Sequence, residues 1–208
     1  TIGVVSGVLG IRWFDCTVTG MEAHAGPTPM ALRKDAMLAA TRIMQDVVAA
    51  AHRHPPHGRG TVGMVQVFPN SRNVIPGRVK FSIDLRNSTD ALVDAMAAEV
   101  KAFADQVAKE HGVQVHIEMV SSYPAQLFQP ECVEAVGRAA AKLGYSHMPA
   151  VSGAGHDAVY MAKLAPSGMI FIPCKDGISH NEIEDAKPEH IEAGCNVLLH
   201  AMLERAGT

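Results

Sequence analysis

In residues 78–87, RVKFSIDLRN, apolar side chains stand at every second position: Val79, Phe81, Ile83 and Leu85. A period of two puts them on one face of an extended strand and Lys80, Ser82 and Asp84 on the other. The pattern predicts a half-buried strand over 79–85, with Asp84 turned to solvent. Upstream, PNSRNVIPG is rich in turn formers. Residues 61–68 alternate through Val62, Met64 or Val65, and Val67, which predicts a second strand. Further back, Leu32, Ala36, Met37, Ala40, Ile43, Met44, Val47 and Val48 recur at helical spacing, so an amphipathic helix is expected over 32–51. Residues 11–20, IRWFDCTVTG, are rich in β-formers and read as a strand closed by Gly20. On the downstream side, Ser88 or Thr89 can cap a helix over about 90–111 that stops at Gly112. Val113, Val115, Ile117 and Met119 then alternate in a fourth strand over 113–120. The order β-α-β-β-α-β over 11–123 is the split βαβ, ferredoxin-like motif. Such a sheet carries both helices on one face, and its open face and edges can meet a partner.

After Tyr123 and Pro124 the pattern changes. A helix is expected over about 131–143, and a glycine loop over 152–164 leads into another. In residues 168–173 the nearly continuous apolar run MIFIP predicts a strand buried on both faces of a parallel sheet. A polar loop follows, and Pro188 opens a last helix to about residue 203. Together with residues 1–10, TIGVVSGVLG, this reads as part of an α/β domain that holds the 11–123 module as an insertion. The expected division is 1–10, 11–123 and 124–208. The start has neither an initiator Met nor a signal-peptide pattern and reads as a core strand, so a cut through a larger protein is expected.

The chain has 208 residues, a net charge of -3, 48% hydrophobic and 19% charged residues. This is globular composition. It lacks the basic surplus of a nucleic-acid binder and has no apolar run of about 18 residues to cross a membrane. Cys16, Cys132, Cys174 and Cys195 show no CxxC spacing and are expected as buried thiols in a reducing cytoplasm.

Most of the eleven histidines call for no function. His52, His54 and His57 fall in a Pro/Arg-rich stretch expected to be a solvated loop, and His111, His116, His147, His190 and His200 are expected to be structural or solvent-facing. Three stand apart in glycine-rich loops: His24 in GMEAHAGPTP, His156 in SGAGHDA and His180 in DGISHNEIE. Imidazole is a common metal ligand and a hydrogen-bond donor near neutral pH; taken singly each of the three is more often structural, and it is their joint occurrence in glycine-rich loops that points towards a site. Arg86, at a strand end, offers a fork suited to a carboxylate, or is an ordinary surface arginine. Asn73 occupies the turn before it. Nucleophile-elbow, Walker and dinucleotide fingerprints are absent.

The segments TVTGMEAHAGPTPMALRKDA, NSRNVIPGRVKFSIDLRN, SGAGHDA and GISHNEIE, in that order and spacing, resemble the N-carbamoyl-L-amino-acid hydrolases. Allantoate amidohydrolases and β-ureidopropionases share the pattern. The resemblance covers nearly the whole chain. It implies an α/β metallohydrolase domain, incomplete here, with an inserted four-stranded lid that makes a homodimer. It implies two divalent ions (Zn, Mn, Co or Ni) in the intact parent, with none completely held by this chain. His180 matches a metal ligand, His156 and Gly155 match substrate-binding groups, and Asn73 and Arg86 match groups that bind the substrate carboxylate. His24 matches a lid histidine that stabilises the reacting carbonyl. Lid residues of such enzymes can reach the partner subunit's site. The implied reaction hydrolyses a small ureido acid to amino acid, ammonia and carbon dioxide by metal-activated water, and the chain alone is expected to be inactive. Allantoate or N-carbamoyl-β-alanine are alternative substrates, and a dimerisation or binding module is the non-enzyme alternative.

Overall fold

A computed structural model describes residues 1–207. The chain divides into two compact units, one of residues 10–125 and one of residues 1–9 with 126–208.

The first unit begins with β2 (Gly10–Thr19), which follows strand β1 (Ile2–Val8) of the other unit. Then come β3 (Ala23–His24), α1 (Ala36–Arg53), β4 (Arg59–Thr61), β5 (Val65–Phe68), β6 (Val74–Ile75), β7 (Arg78–Asn87), α2 (Asp90–His111) and β8 (Gln114–Tyr123). The main sheet is antiparallel throughout, in the order β4-β7-β2-β8, with β5 also on β7. Val79, Phe81, Ile83 and Leu85 are fully buried, as the alternation requires, and meet Phe14, Cys16 and Val18 of β2. Both helices close this core: Ile43 and Val47 from α1, Val93, Met96 and Val100 from α2.

Helix α1 starts four residues later than the apolar spacing suggested. The Asp35 carboxylate accepts from the Met37 and Leu38 amides and fixes the N-cap, while Met30–Leu32 form a separate 3-10 turn. The strand expected over 61–68 is two strands. Between them the Met64 amide turns onto Ser82 Oγ, and the Ser82 amide donates to the Met64 carbonyl. Helix α2 carries both expected ends, Thr89 Oγ1 accepting from Leu92 N and Gly112 in the left-handed region at φ 61.

One guanidinium ties the two ends of this unit together. Arg12, 7% exposed, donates from Nε to Asp94 at 2.9 Å, from Nη2 to Asp90 at 3.2 Å, and from Nη1 to the carbonyls of Ile11 and Tyr123. Asp90 Oδ1 also accepts from the Ala125 amide.

The second unit contains β1, β9 (Gln126–Leu127), α3 (Pro130–Lys142), β10 (His147–Ser152), α4 (Asp157–Met161), β11 (Met169–Phe171) and α5 (Pro188–Ala206). Its sheet order is β10-β1-β11, with β9 also on β1. The apolar run at 169–171 is not a doubly buried parallel strand. It lies antiparallel to β1 at an edge, and its three residues are half-buried. The parallel pair is β1 with β10, a strand the sequence reading passed over because Pro149 interrupts a mostly exposed stretch. Ala193, Val197 and Ala201 of α5 pack on Ala135, Val136 and Ala139 of α3. Ile191, Leu198, Leu199, Met202 and Leu203 of α5 stay exposed. Among the described residues no helix is long and apolar enough to cross a membrane.

Candidate functional site

His24 and Asn73 are brought side by side. The two-residue strand β3 pairs with β6, so that His24 faces Val74, and the Ala25 amide donates to the Asn73 carbonyl at 2.8 Å. His24 is exposed, and its Nδ1 accepts from the Gly26 amide at 3.1 Å. An imidazole nitrogen that accepts carries no proton, so the neutral ring holds its proton on Nε2 and presents a donor outward. Asn73 Oδ1 accepts from Ser71 Oγ, which fixes the amide and turns its NH2 group into the available donor.

Arg86 lies elsewhere in the same unit. On β7 it pairs with Ile11, eight residues from Arg78, which pairs with Thr19. At the strand rise that is about 26 Å. His24 and Asn73 lie beyond the Arg78 end, where Gly20 N donates to the Gly77 carbonyl. Arg86 is held by Asp84 through both edges of a fork, Nε to Oδ1 at 2.9 Å and Nη2 to Oδ2 at 2.5 Å. Asp84 is therefore not a solvated residue. Residues two apart on a strand share a face, and each side chain is about three-quarters buried. The hydrogen bonds to Asp84 raise the Arg86 pKa above its ordinary value and keep the guanidinium charged.

In the second unit, His156 is the N-cap residue of α4. Its Nε2 lies 2.8 Å from Ser152 Oγ, and its ring packs edge-on against Phe171 with centroids 5.7 Å apart. Gly155 is exposed, and a Cβ there would meet nothing within 4 Å, so its backbone is open to a ligand. His180 has φ 58, unusual for a residue with a Cβ, and its amide donates to Glu184 Oε2 at 2.9 Å. No hydrogen bond joins His156 to His180 among the described residues.

A metal pair needs several converging donors. No three His, Cys, Asp or Glu side chains group to hold an ion among the described residues. The donor set of this chain alone does not fit such a centre. One concavity of the second unit, about 710 Å³, is an apolar groove lined by Cys132, Val136, Met169, Ile191, Leu198 and Met202. It contains none of the candidate residues.

Two expectations are corrected. His54 is not in a solvated loop: it ends α1 and bonds Glu99 Oε1 at 2.7 Å. Only Cys16 is a buried thiol, whereas Cys174 and Cys195 are exposed and Cys132 is half-buried. Sequence reasoning also passed over Ser152 and Asp35, and the Arg86 partner of Asp84, all of them local contacts. A polar residue two to four positions from a candidate side chain is the signal that could have found the contacts of Ser152 with His156 and of Asp84 with Arg86.

The model of peptidase family M20/M25/M40 matches residues 10–204. The chain belongs to peptidase family M20/M25/M40. It is 48% identical over 205 residues, 99% of its length, to an N-carbamoyl-L-amino-acid amidohydrolase of Rhizobium meliloti, and covers 49% of that protein. It is 30% identical to an allantoate amidohydrolase of Bacillus subtilis, over 99% of this chain and 50% of that one. A crystal structure of an amidase of the hydantoinase/carbamoylase family from Burkholderia multivorans superposes with a TM-score of 0.95 at 54% identity, over 99% of this chain and 50% of that one. This M20/M25/M40 chain thus spans about half the length of the curated relatives it matches.

Proposed function

We propose that this chain is the C-terminal half of an enzyme that hydrolyses the carbamoyl C–N bond of N-carbamoyl-L-amino acids, giving the amino acid, ammonia and carbon dioxide. The 48% identity to the Rhizobium meliloti amidohydrolase, over 99% of the chain, carries the reading. The substrate is a small ureido acid, with a carboxylate at one end and N–H donors and a carbonyl at the other. Arg86 binds the carboxylate as a guanidinium that Asp84 orients and keeps charged. Asn73 adds an amide donor. His24 offers Nε2–H to the carbonyl oxygen, where negative charge grows as the carbon becomes tetrahedral. His156 and the Gly155 backbone hold the ureido group. His180 contributes one ligand towards a pair of divalent ions (Zn, Mn, Co or Ni) whose remaining ligands, with the groups that activate water, belong to the rest of the longer protein. The chain by itself is inactive and cytoplasmic.

Residues 10–125 act as a ferredoxin-like lid inserted into the catalytic α/β domain. The sheet order, with β2 and β7 central and the short strands β4 and β5 on one side and β8 on the other, supports this. The lid makes a homodimer, and the separation of Arg86 from His24 and Asn73 supports it. A ureido acid spans far less than about 26 Å, so one substrate touching all three draws them from two copies. The edge strand β8 exposes Met119, Val120 and Tyr123 for the contact.

The full-length enzyme, assayed with manganese, is expected to turn over N-carbamoyl-methionine in preference to N-carbamoyl-β-alanine and allantoate. Preference for allantoate would assign the chain to that branch, and no turnover of any of the three would remove the reading. Arg86→Ala should raise KM roughly a hundredfold, the cost of a charge-assisted bidentate contact. An unchanged KM removes the carboxylate clamp.

A further inference from the structure

Ser152 is the last residue of β10 and only 1% exposed. Its backbone is fixed in the sheet, opposite Val8, with its carbonyl accepting from Leu9 N at 2.9 Å. Its hydroxyl has three neighbours: the Ala154 carbonyl at 2.9 Å, the Ala154 amide at 3.1 Å and His156 Nε2 at 2.8 Å.

A hydroxyl has one proton to give and two lone pairs to receive with. The amide can only donate. If the proton went to His156, the hydroxyl and carbonyl oxygens would face each other at 2.9 Å with no hydrogen between them. If it goes to the Ala154 carbonyl, every contact is satisfied, and His156 Nε2–H becomes the second donor to Ser152 Oγ. Burial makes the unsatisfied alternative costly.

We infer that Ser152 is a positioning residue that fixes neutral His156 as its Nε2–H tautomer and so leaves Nδ1 as a hydrogen-bond acceptor for an N–H group of the substrate. Nδ1 has no hydrogen-bond partner among the described residues, and the edge-on contact with Phe171 sets the plane of the ring. The roles of the two histidines then differ. His24 presents a donor, suited to a carbonyl oxygen, and His156 presents an acceptor, suited to a ureido nitrogen. An ester or carbamate analogue with oxygen in place of that N–H would set a lone pair against Nδ1 and be rejected. The tautomer follows from Ser152 alone, whereas the choice of a ureido N–H as ligand rests on the proposed function.

The test begins with the 208-residue chain and no substrate. With 15N-labelled histidine at about pH 8.5, where imidazoles are neutral, long-range proton–nitrogen spectra report the tautomer of His156. The expected result is protonated Nε2 and bare Nδ1 in the natural chain, and a mixture in Ser152→Ala. A His156 protonated on Nδ1 in the natural chain overturns the inference without any variant being needed, and a Ser152→Ala spectrum identical to the natural one does so too. In the full-length enzyme, Ser152→Ala should raise KM for N-carbamoyl-methionine roughly tenfold, the usual effect of removing an orienting partner, and Ser152→Thr, which keeps the hydroxyl, should recover most of it. A raised KM that Ser152→Thr fails to recover, in a variant that folds, would overturn the positioning role. The expected tautomer with no turnover of ureido acids would leave Ser152's role intact and remove the proposed function.

Discussion

Glu99 accepts from Arg53 Nε at 2.9 Å and pairs with His54 Nε2 at 2.7 Å. The bond with His54 first, and then that from Arg53, hold its carboxyl below the ordinary value of 4.5 against slight desolvation. A depressed folded pKa contributes stability that is present above the unfolded value and lost as pH falls through the folded one. Glu99→Gln should therefore flatten the loss of Tm between about pH 5 and pH 3 by roughly 1–3 °C, a small effect because the pair is part-exposed. An unchanged acid limb in differential scanning fluorimetry would show the pair to be without effect. Burial pushes the Cys16 thiol up to about 12, so a disulfide reagent at pH 8 should label Cys174 and Cys195 and leave Cys16 unmodified until denaturant is added, as peptide mass mapping would reveal. At this scale residue type and glycine context are what single out His24 and His156 in the sequence. The sequence was opaque for His54 and Glu99, whose bond spans 45 residues, and for Asp84, where alternation assigned a face correctly but could not see Arg86 two positions away on that face.

Strands with strict alternation and helices with both caps written in the chain were readable at the level of the element: β7 through Val79 to Leu85, α2 from Thr89 to Gly112. The failures have physical causes. The break between β4 and β5 depends on Ser82 of a neighbouring strand. Strand β10 is exposed and carries Pro149, so it has no pattern to detect. The apolar run at 169–171 divides its contacts, Ile170 packing towards α3 and α5 while Met169 and Phe171 pack with Val5 and Val8 of β1 and with Phe128. Close packing also limits side-chain size. A Cβ on Gly60 of β4 would drive into the Val47 carbonyl oxygen of α1, with Ala51 beside it. Neither backbone can yield without parting α1 from the sheet. Gly60→Ala should cost about 1–3 kcal/mol in urea unfolding, the range for an overpacked contact, and a change within error would mean that α1 moves freely over β4.

For the whole molecule, residues 10–125 possess a core of their own, built from β2, β7, α1 and α2. Expressed alone, this segment should unfold in one cooperative thermal transition with little binding of a hydrophobic dye, and gradual melting without a baseline would contradict that. The full chain should bind more dye through the exposed stripe of α5, which has too many apolar residues for a helix covered on one side only.

The Arg12 cluster has a mechanical consequence. Tension pulled on residue 10 or on residue 125 arrives at the same guanidinium and its two aspartates, so the segment cannot unravel from either tip without first breaking that knot. Amide protons around Ile11 and Tyr123, next to the entry and exit of the chain, should exchange as slowly as those at the centre of β7. A module tethered at its own mouth in this way can be carried as cargo by a host domain without lending it a frayed seam.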